Sequence, residues 1–341
     1  MNLGGRIHLC PDLHGGLILF NSCKTRGCPV CMETEQLKWF FKQKQLLLPV
    51  KHNHLVFKLP SDIAGLWIYN KYLIQTIMFD AAKYAIKKVN QDMSLKRGSI
   101  SVLHTAGSDL SYHPHLHVLI TDGGFDNNRE WQENSIAVDT LRKYYRKSVR
   151  KKLLKALNKY WLLLPPGVDP EKFTKIIQTK DFHIQRAGIY SNGEGVLKYL
   201  SKKLKTGALN HKQVISYDDK SVTFYYERDG KKEIVKLKRE EFIRRYLNHI
   251  PLKGFRIVRN YGLYSPRQKA ETKKLKEKIF GKSCEETEYT PQIPKCPVCG
   301  KELSVVKKCS AKEFRELFTA MRKANPGRPP PGHGEFERFN N

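Results

Sequence analysis

His113-Pro-His-Leu-His-Val-Leu-Ile120 sets three histidines at alternate positions and then runs into an apolar stretch. Residues i and i+2 of a strand point to the same face, so His115 and His117 present two imidazoles side by side, as two legs of a site for one metal ion. His113 shares that face only if the strand begins before Pro114. His104 ends the neighbouring strand-like run Ser99-Ile-Ser-Val-Leu-His104. The third ligand is therefore either His113 or His104, and the sequence does not choose. A histidine-rich strand end without an ion is the plain alternative, against which three alternating histidines argue for a site.

Outward from this stretch the pattern alternates between strand and helix. The connection from His104 to His113 contains Gly, Ser and Asp and is short enough for a hairpin, which makes antiparallel pairing the economical reading. Upstream, His52-Asn-His-Leu-Val-Phe-Lys-Leu-Pro60 reads as a strand stopped by proline, followed by a helix with Ile74, Met78, Ala81 and Ala85 at helical spacing. Downstream, Leu141 to Tyr160 places Tyr145, Val149, Leu153, Leu157 and Tyr160 on one helical stripe, with nine Lys or Arg and no acid in the same stretch. After the turn-rich Ser191-Asn-Gly-Glu-Gly195, Val196 to Leu204 reads as a helix and Val214 to Leu237 as a strand-rich hairpin region around Asp229-Gly230. Strands interleaved with helices give an α+β class with a mainly antiparallel central sheet.

The composition narrows the function. A chain of 341 residues corresponds to about two domains at roughly 150 residues each. Lys and Arg total 62 against 33 Asp and Glu, a formal charge of +29, which calls for a polyanionic partner. No apolar run approaches the roughly 18 residues of a membrane span, and the first residues lack the hydrophobic core of a secretory leader. The expected location is therefore the cytoplasm, in association with the nucleoid.

In a reducing compartment the eight cysteines need a role other than disulfides. They fall into two groups, each holding a C-x2-C pair. Zn2+ takes four tetrahedral S or N ligands. Cys10, Cys23, Cys28 and Cys31 are the expected set at the N-terminus, with His14 in reserve; a metal-free cluster is the alternative. Lys24 and Arg26, set between these ligands, could reach phosphates or could be solvated charges. Near the C-terminus, Cys296 and Cys299 of Lys295-Cys-Pro-Val-Cys-Gly-Lys301 resemble a zinc knuckle whose partners would be Cys284 and Cys309.

Tyr199-Leu-Ser-Lys202-Lys203 lies on a predicted helix, where one turn separates the phenol from two ammonium groups, so both can face the same phosphate. Alone this is weak, since a basic helix face with a packed ring has the same pattern. Basic residues over 142–159 and 236–245, including Arg142, Lys143, Arg146, Lys147, Arg150, Arg244 and Arg245, are candidates to line a DNA channel.

The order of these blocks resembles the HUH single-strand endonucleases. Within them it resembles the insertion sequence 91-like family of rolling-circle transposases: Ser22-Cys-Lys-Thr-Arg-Gly-Cys28-Pro-Val-Cys31, His54-Leu-Val-Phe-Lys-Leu-Pro60, His104-Thr-Ala-Gly, His113-Pro-His-Leu-His117, Lys198-Tyr-Leu-Ser-Lys202, Phe242-Ile-Arg-Arg-Tyr-Leu247, Gly254-Phe-Arg-Ile257 and Tyr261-Gly-Leu263. The resemblance implies an HUH nuclease domain with an N-terminal zinc module, Mg2+ or Mn2+ on His115 and His117, and Tyr199 as a nucleophile that nicks and rejoins single-stranded transposon ends through a 5′-phosphotyrosine. Lys202 stands where related initiators carry a Tyr-x-x-Lys lysine. Two-tyrosine members carry a second tyrosine four residues on, where this chain has Lys203, which implies a one-tyrosine variant. The expected division is a zinc module over 1–48, a nuclease domain over 49–210, a strand-rich extension over 211–265, and a basic C-terminal region over 266–341 ending in a disordered tail. The competing readings are a replication initiator or relaxase, and a zinc-dependent DNA-binding protein without catalysis.

Overall fold

The computed structural model describes residues 3–23, 25, 28, 32–107, 109–205, 209, 213–228, 230–251, 254–281, 289, 293–324 and 336–338; the side chains of 32, 33, 202–205, 228, 318, 321–324 and 336–338 lie outside that description. In chain order it forms β1 (Gly5–Leu9), β2 (Gly15–Phe20), α1 (Met32–Lys44), β3 (His52–Lys58), the single turn α2 (Ser61–Ala64) and the long α3 (Trp67–Asp92). Next come β4 (Gly98–Ala106), β5 (Tyr112–Thr121), β6 (Gly123–Phe125), β7 (Trp131–Glu133), α4 (Val138–Asn158), α5 (Pro170–Thr179), β8 (Ile184–Tyr190) and α6 (Glu194–Lys205). The remainder holds β9 (Val214–Tyr217), β10 (Ser221–Arg228), β11 (Lys231–Lys238), α7 (Arg239–Asn248), β12 (Val258–Gly262), α8 (Lys269–Phe280), β13 (Ser304–Cys309), α9 (Ala311–Ala324) and β14 (Phe336–Arg338).

Five strands in the order β12-β4-β5-β3-β8, each antiparallel to its neighbours, make the central sheet. The architecture is α+β, as the strand and helix pattern predicts. Strand alternation divides the side chains between two layers. Leu55, Phe57, Leu103, Leu116, Val118 and Ile120 face one way and pack with Ile74, Met78, Ala81 and Ala85 of α3 and Tyr145, Val149 and Leu153 of α4. Ile100, Val102 and Leu119 face the other way and pack with Val196, Leu197 and Leu200 of α6 and Phe40 of α1. Each fully buried Leu, Ile or Phe contributes about 1.5–3 kcal/mol, so both layers are held mainly by apolar burial. Phe57 and Tyr145 meet edge to face at 4.9 Å, both fully buried.

Three expected boundaries differ from the structure. Within 211–265, β9, β10 and β11 form a small sheet of their own, but β12 leaves it and pairs with β4 from Val258↔Val102 to Gly262↔Gly98. The physical reason is the open edge of β4, whose backbone donors and acceptors need a partner. Residues 266–341 are not a separate region, because β13 pairs with β1 and β14 with β2 in a four-stranded sheet ordered β13-β1-β2-β14. Two short N-terminal strands cannot bury a core alone, and the C-terminal strands complete it. Nor does α1, inside 1–48, stay with the N-terminal strands: Phe40 is in the core beneath α6. The expected disordered tail lies outside the described residues apart from β14. No helix among the described residues is long and apolar enough to cross a membrane.

Candidate active site on the histidine face of the sheet

Antiparallel register sets His104 opposite His115, with His117 two residues further along β5. All three side chains belong to the α6 side of the sheet, where the same alternation places Val102 and Leu119. His104 Nδ1 lies 3.3 Å from His115 Nε2, and His115 Nε2 lies 3.1 Å from His117 Nε2. Of the two candidates for a third ligand, His104 lies with the pair, whereas His113 is exposed and outside the group of converging nitrogens. His113 contributes its backbone instead, since its carbonyl accepts a hydrogen bond from His115 Nδ1. His117 Nδ1 is engaged in turn, 2.9 Å from Nε2 of His54. With their Nδ1 atoms carrying the protons, His115 and His117 direct Nε2 lone pairs toward each other and toward His104.

Converging lone pairs at this spacing repel unless a cation or a proton lies among them. Nitrogens bound at about 2.0–2.1 Å to one tetrahedral ion stand about 3.3 Å apart, close to the separations here. The residues present therefore fit a divalent ion. An all-imidazole donor set favours a transition-metal ion over Mg2+, which prefers oxygen, so of the two expected ions Mn2+ suits the site better.

Above the histidines runs α6. Asn192 Oδ1 accepts from the Glu194 amide at 3.1 Å and starts the helix. Gly193 lets that start approach the sheet closely, because a Cβ there would meet the His52 ring and Leu119 at 3.1 Å. Val196, Leu197 and Leu200 then bury against the sheet, and Tyr199 emerges beside them over the histidines. Its ring centroid lies 5.9 Å from those of both His54 and His117, and the residue stays 43% exposed, open to a substrate. Burial, and then the neighbouring Tyr190 phenol, raise the Tyr199 pKa above its ordinary value. Lys202 and Lys203 follow on the same helix, but their side chains lie outside the described residues.

His54 is the residue beside the site that sequence reasoning does not single out: it enters there as part of a strand and of a family block, although His52-Asn-His54 has the alternation that singles out His115 and His117. Burial lowers the His54 pKa, which keeps its imidazole neutral and able to accept from His117. His52, on the same face, is fully buried, contacts the Val50 carbonyl at 2.7 Å and the Tyr264 hydroxyl at 2.6 Å, and has its pKa pushed down by burial to about 4.

The basic helix α4 does not reach the site, since its apolar stripe packs on the opposite face of the sheet. Arg142 pairs with Asp139 and donates to the Ile184 carbonyl, Arg146 pairs with Asp181, and Arg150 donates to the Lys180 carbonyl. These arginines clamp the segment leading into β8; Lys143 and Lys147 are exposed on the outer side. Arg244 and Arg245 on α7 both bind Glu241. Lys24 and Arg26 lie outside the described residues.

The cysteines group differently from their order in sequence. Cys10 and His14 meet Cys296 and Cys299, so the N-terminal pair joins the C-terminal knuckle rather than Cys23 and Cys28. Cys309 is in a separate apolar cluster with Ile18 and Phe314. Cys31 and Cys284 lie outside the described residues.

Comparison with known proteins gives the family. Residues 98–272, just over half of the 341, match the family model described as "Putative transposase", and residues 1–59 match a transposase zinc-binding domain. The chain is 26% identical over 287 residues to the "Putative transposase y4qJ" of Sinorhizobium fredii, covering 79% of this chain and 72% of that protein. It is 28% identical over 274 residues to the transposase for insertion sequence element IS801 of Pseudomonas savastanoi pv. phaseolicola, covering 76% of this chain and 65% of that protein, just under two thirds.

Proposed function

The chain belongs to the insertion sequence 91-like family of transposases, and from that premise we propose that it cuts and rejoins single-stranded DNA at the ends of its element, using Tyr199 as nucleophile, in rolling-circle-type transposition. One observation carries the reading: Tyr199 stands directly over a convergent cluster of three histidines, its ring 5.9 Å from that of His117. A nucleophile beside a cation site is what phosphoryl transfer requires, and nothing in plain DNA binding needs that pairing.

In the proposed step the Tyr199 phenolic oxygen attacks a backbone phosphorus. The new O–P bond forms as the bond to the 3′ oxygen breaks; the phenol loses its proton and the departing 3′ oxygen gains one, leaving a 5′-phosphotyrosine and a 3′-hydroxyl. Attack by a 3′-hydroxyl on that phosphotyrosine reverses the exchange and joins strands. One phosphoester replaces another each time, so no nucleotide triphosphate is consumed. His104, His115 and His117 would hold Mg2+ or Mn2+, which when bound polarises the phosphoryl oxygens and steadies developing charge. His54 and the His113 carbonyl hold His117 and His115 in the tautomers that offer Nε2 to it. Tyr199 enters as a neutral phenol, because burial adds to an ordinary pKa of about 10. Lys202 and Lys203, one helical turn on, are the cations in this reading that offset charge as its proton leaves.

DNA is the partner of this family, and the +29 charge suits it. Incubation with single-stranded DNA from the element's flanks and Mn2+, followed by denaturing gels, tests the proposal. Wild type should give a covalent adduct that Tyr199→Phe lacks while DNA retention persists. Retention without any adduct in wild type would instead favour a zinc-dependent DNA-binding protein.

A further inference from the structure

Two turns from opposite ends of the chain share one construction. Cys10-Pro-Asp-Leu-His14-Gly15 and Cys296-Pro-Val-Cys299-Gly300 each place a proline after a first cysteine and a glycine after a second metal-binding side chain. In each, the amide of the first cysteine donates to the carbonyl five residues on, Cys10 to Gly15 at 2.9 Å and Cys296 to Lys301 at 2.8 Å. The two turns are closed over the same length but the ligand spacing is one residue wider in the first; a left-handed residue completes each, Leu13 with φ of +57° in the first and Gly300 with φ of +74° in the second. Asp12 and Lys301 link the two turns through a 2.8 Å ion pair, and β1 and β13 pair immediately behind them.

Four donors meet between the turns. Cys10 Sγ is 3.6 Å from Cys299 Sγ and 3.6 Å from His14 Nδ1, and Cys296 Sγ is 3.9 Å from His14 Nδ1. Zn–S bonds of about 2.3 Å and Zn–N bonds of about 2.05 Å at tetrahedral angles set S···S at about 3.8 Å and S···N at about 3.6 Å. The observed spacings lie within about 0.3 Å of these values, whereas a disulfide would need about 2.05 Å. The Val298 amide also donates to Cys296 Sγ at 3.4 Å, a bond that favours a thiolate.

We propose that Cys10, His14, Cys296 and Cys299 hold one zinc ion, so that a site begun in the N-terminal zinc-binding domain is completed from the C-terminus and clasps the two ends of the chain. The matched domain stops at residue 59, and half of these ligands lie beyond it. The packing behind the site has the same design. Gly4 has φ of +69°, and a Cβ there would overlap the Cys309 carbonyl, while one at Gly5 would meet the Phe314 ring of α9 at 2.9 Å. The N-terminal glycines are thus shaped to receive the C-terminal strand and helix. The segment closed by the ion, from residue 14 to residue 296, contains the whole central sheet, so removing zinc should loosen β13 and α9 from β1.

Zinc content of the full chain tests this independently of DNA cleavage. One shared site predicts that Cys10→Ser, Cys299→Ser and the double variant each lose the same single equivalent of zinc relative to wild type. Loss of two equivalents in the double variant, or none in Cys299→Ser, overturns the proposal. His14→Cys guards against simple misfolding: it should keep its metal and, loaded with Co2+, raise thiolate-to-cobalt charge-transfer absorbance by about a third as three thiolates become four. An unchanged spectrum overturns the proposal as well.

Discussion

Replacing His54 with alanine tests the network behind the histidine cluster. The side chain is buried, its Nε2 stands 2.9 Å from His117 Nδ1, and it carries the hydrogen bond that fixes which His117 nitrogen faces His115. Outer partners of metal-binding histidines are worth about 10- to 100-fold in metal affinity, or about 1.4–2.8 kcal/mol at roughly 1.4 kcal/mol per decade. Mn2+ binding should therefore weaken by one to two decades in His54→Ala, read by electron paramagnetic resonance of unbound Mn2+ or by calorimetry. His54→Gln, whose side-chain carbonyl can accept from Nδ1, should recover part of the loss. The reasoning is refuted if folded His54→Ala binds Mn2+ as wild type does, or if the glutamine variant is no better than alanine.

Further outcomes follow from other parts of the structure. His52 has its pKa lowered by burial from 6.5 to about 4, opposed by the Val50 carbonyl and Asp122, so the fold keeps it neutral while the unfolded chain protonates it first. Its contribution is complete above about pH 6.5 and is lost as pH falls toward 4, amounting to about 3 kcal/mol at 1.4 kcal/mol per pH unit. Urea midpoints should show a steeper acid decline in wild type than in His52→Gln; equal slopes would contradict this. Gly193→Ala should push the start of α6 off His52 and Leu119 at a cost of about 1–3 kcal/mol, lowering both melting temperature and cleavage rate. Cleavage with saturating DNA should stay within about twofold in Lys143→Glu/Lys147→Glu, because α4 lies across the sheet from Tyr199; a collapse in rate would place DNA on that layer.

Short-range pattern made the sheet and its site legible. Alternation over His113 to Ile120 identified β5 and the shared face of His115 and His117, and helical spacing identified α3, α4 and α6. The choice of His104 over His113 was not legible, because it depends on which strand pairs with β5 and in what register. His54 was hidden for the same reason, since its role arises from a cross-strand bond to His117. Charge alone did not place α4: nine basic residues suggested a DNA channel, while the apolar stripe of the same helix sets its layer across the sheet from Tyr199, and three of its arginines bind backbone carbonyls or acids. The meeting of Cys10 with Cys299 was not legible, because the two lie 289 residues apart and sequence reasoning groups cysteines by proximity along the chain.

The central claim is that Tyr199 is the nucleophile of a strand-transfer reaction. Peptide mass mapping of the protein after reaction with single-stranded flank DNA and Mn2+ tests it most directly. The account predicts a nucleotide adduct on the peptide carrying Tyr199, absent in Tyr199→Phe and in His115→Ala/His117→Ala. An adduct on another residue, or strand cleavage that survives in Tyr199→Phe, would contradict it.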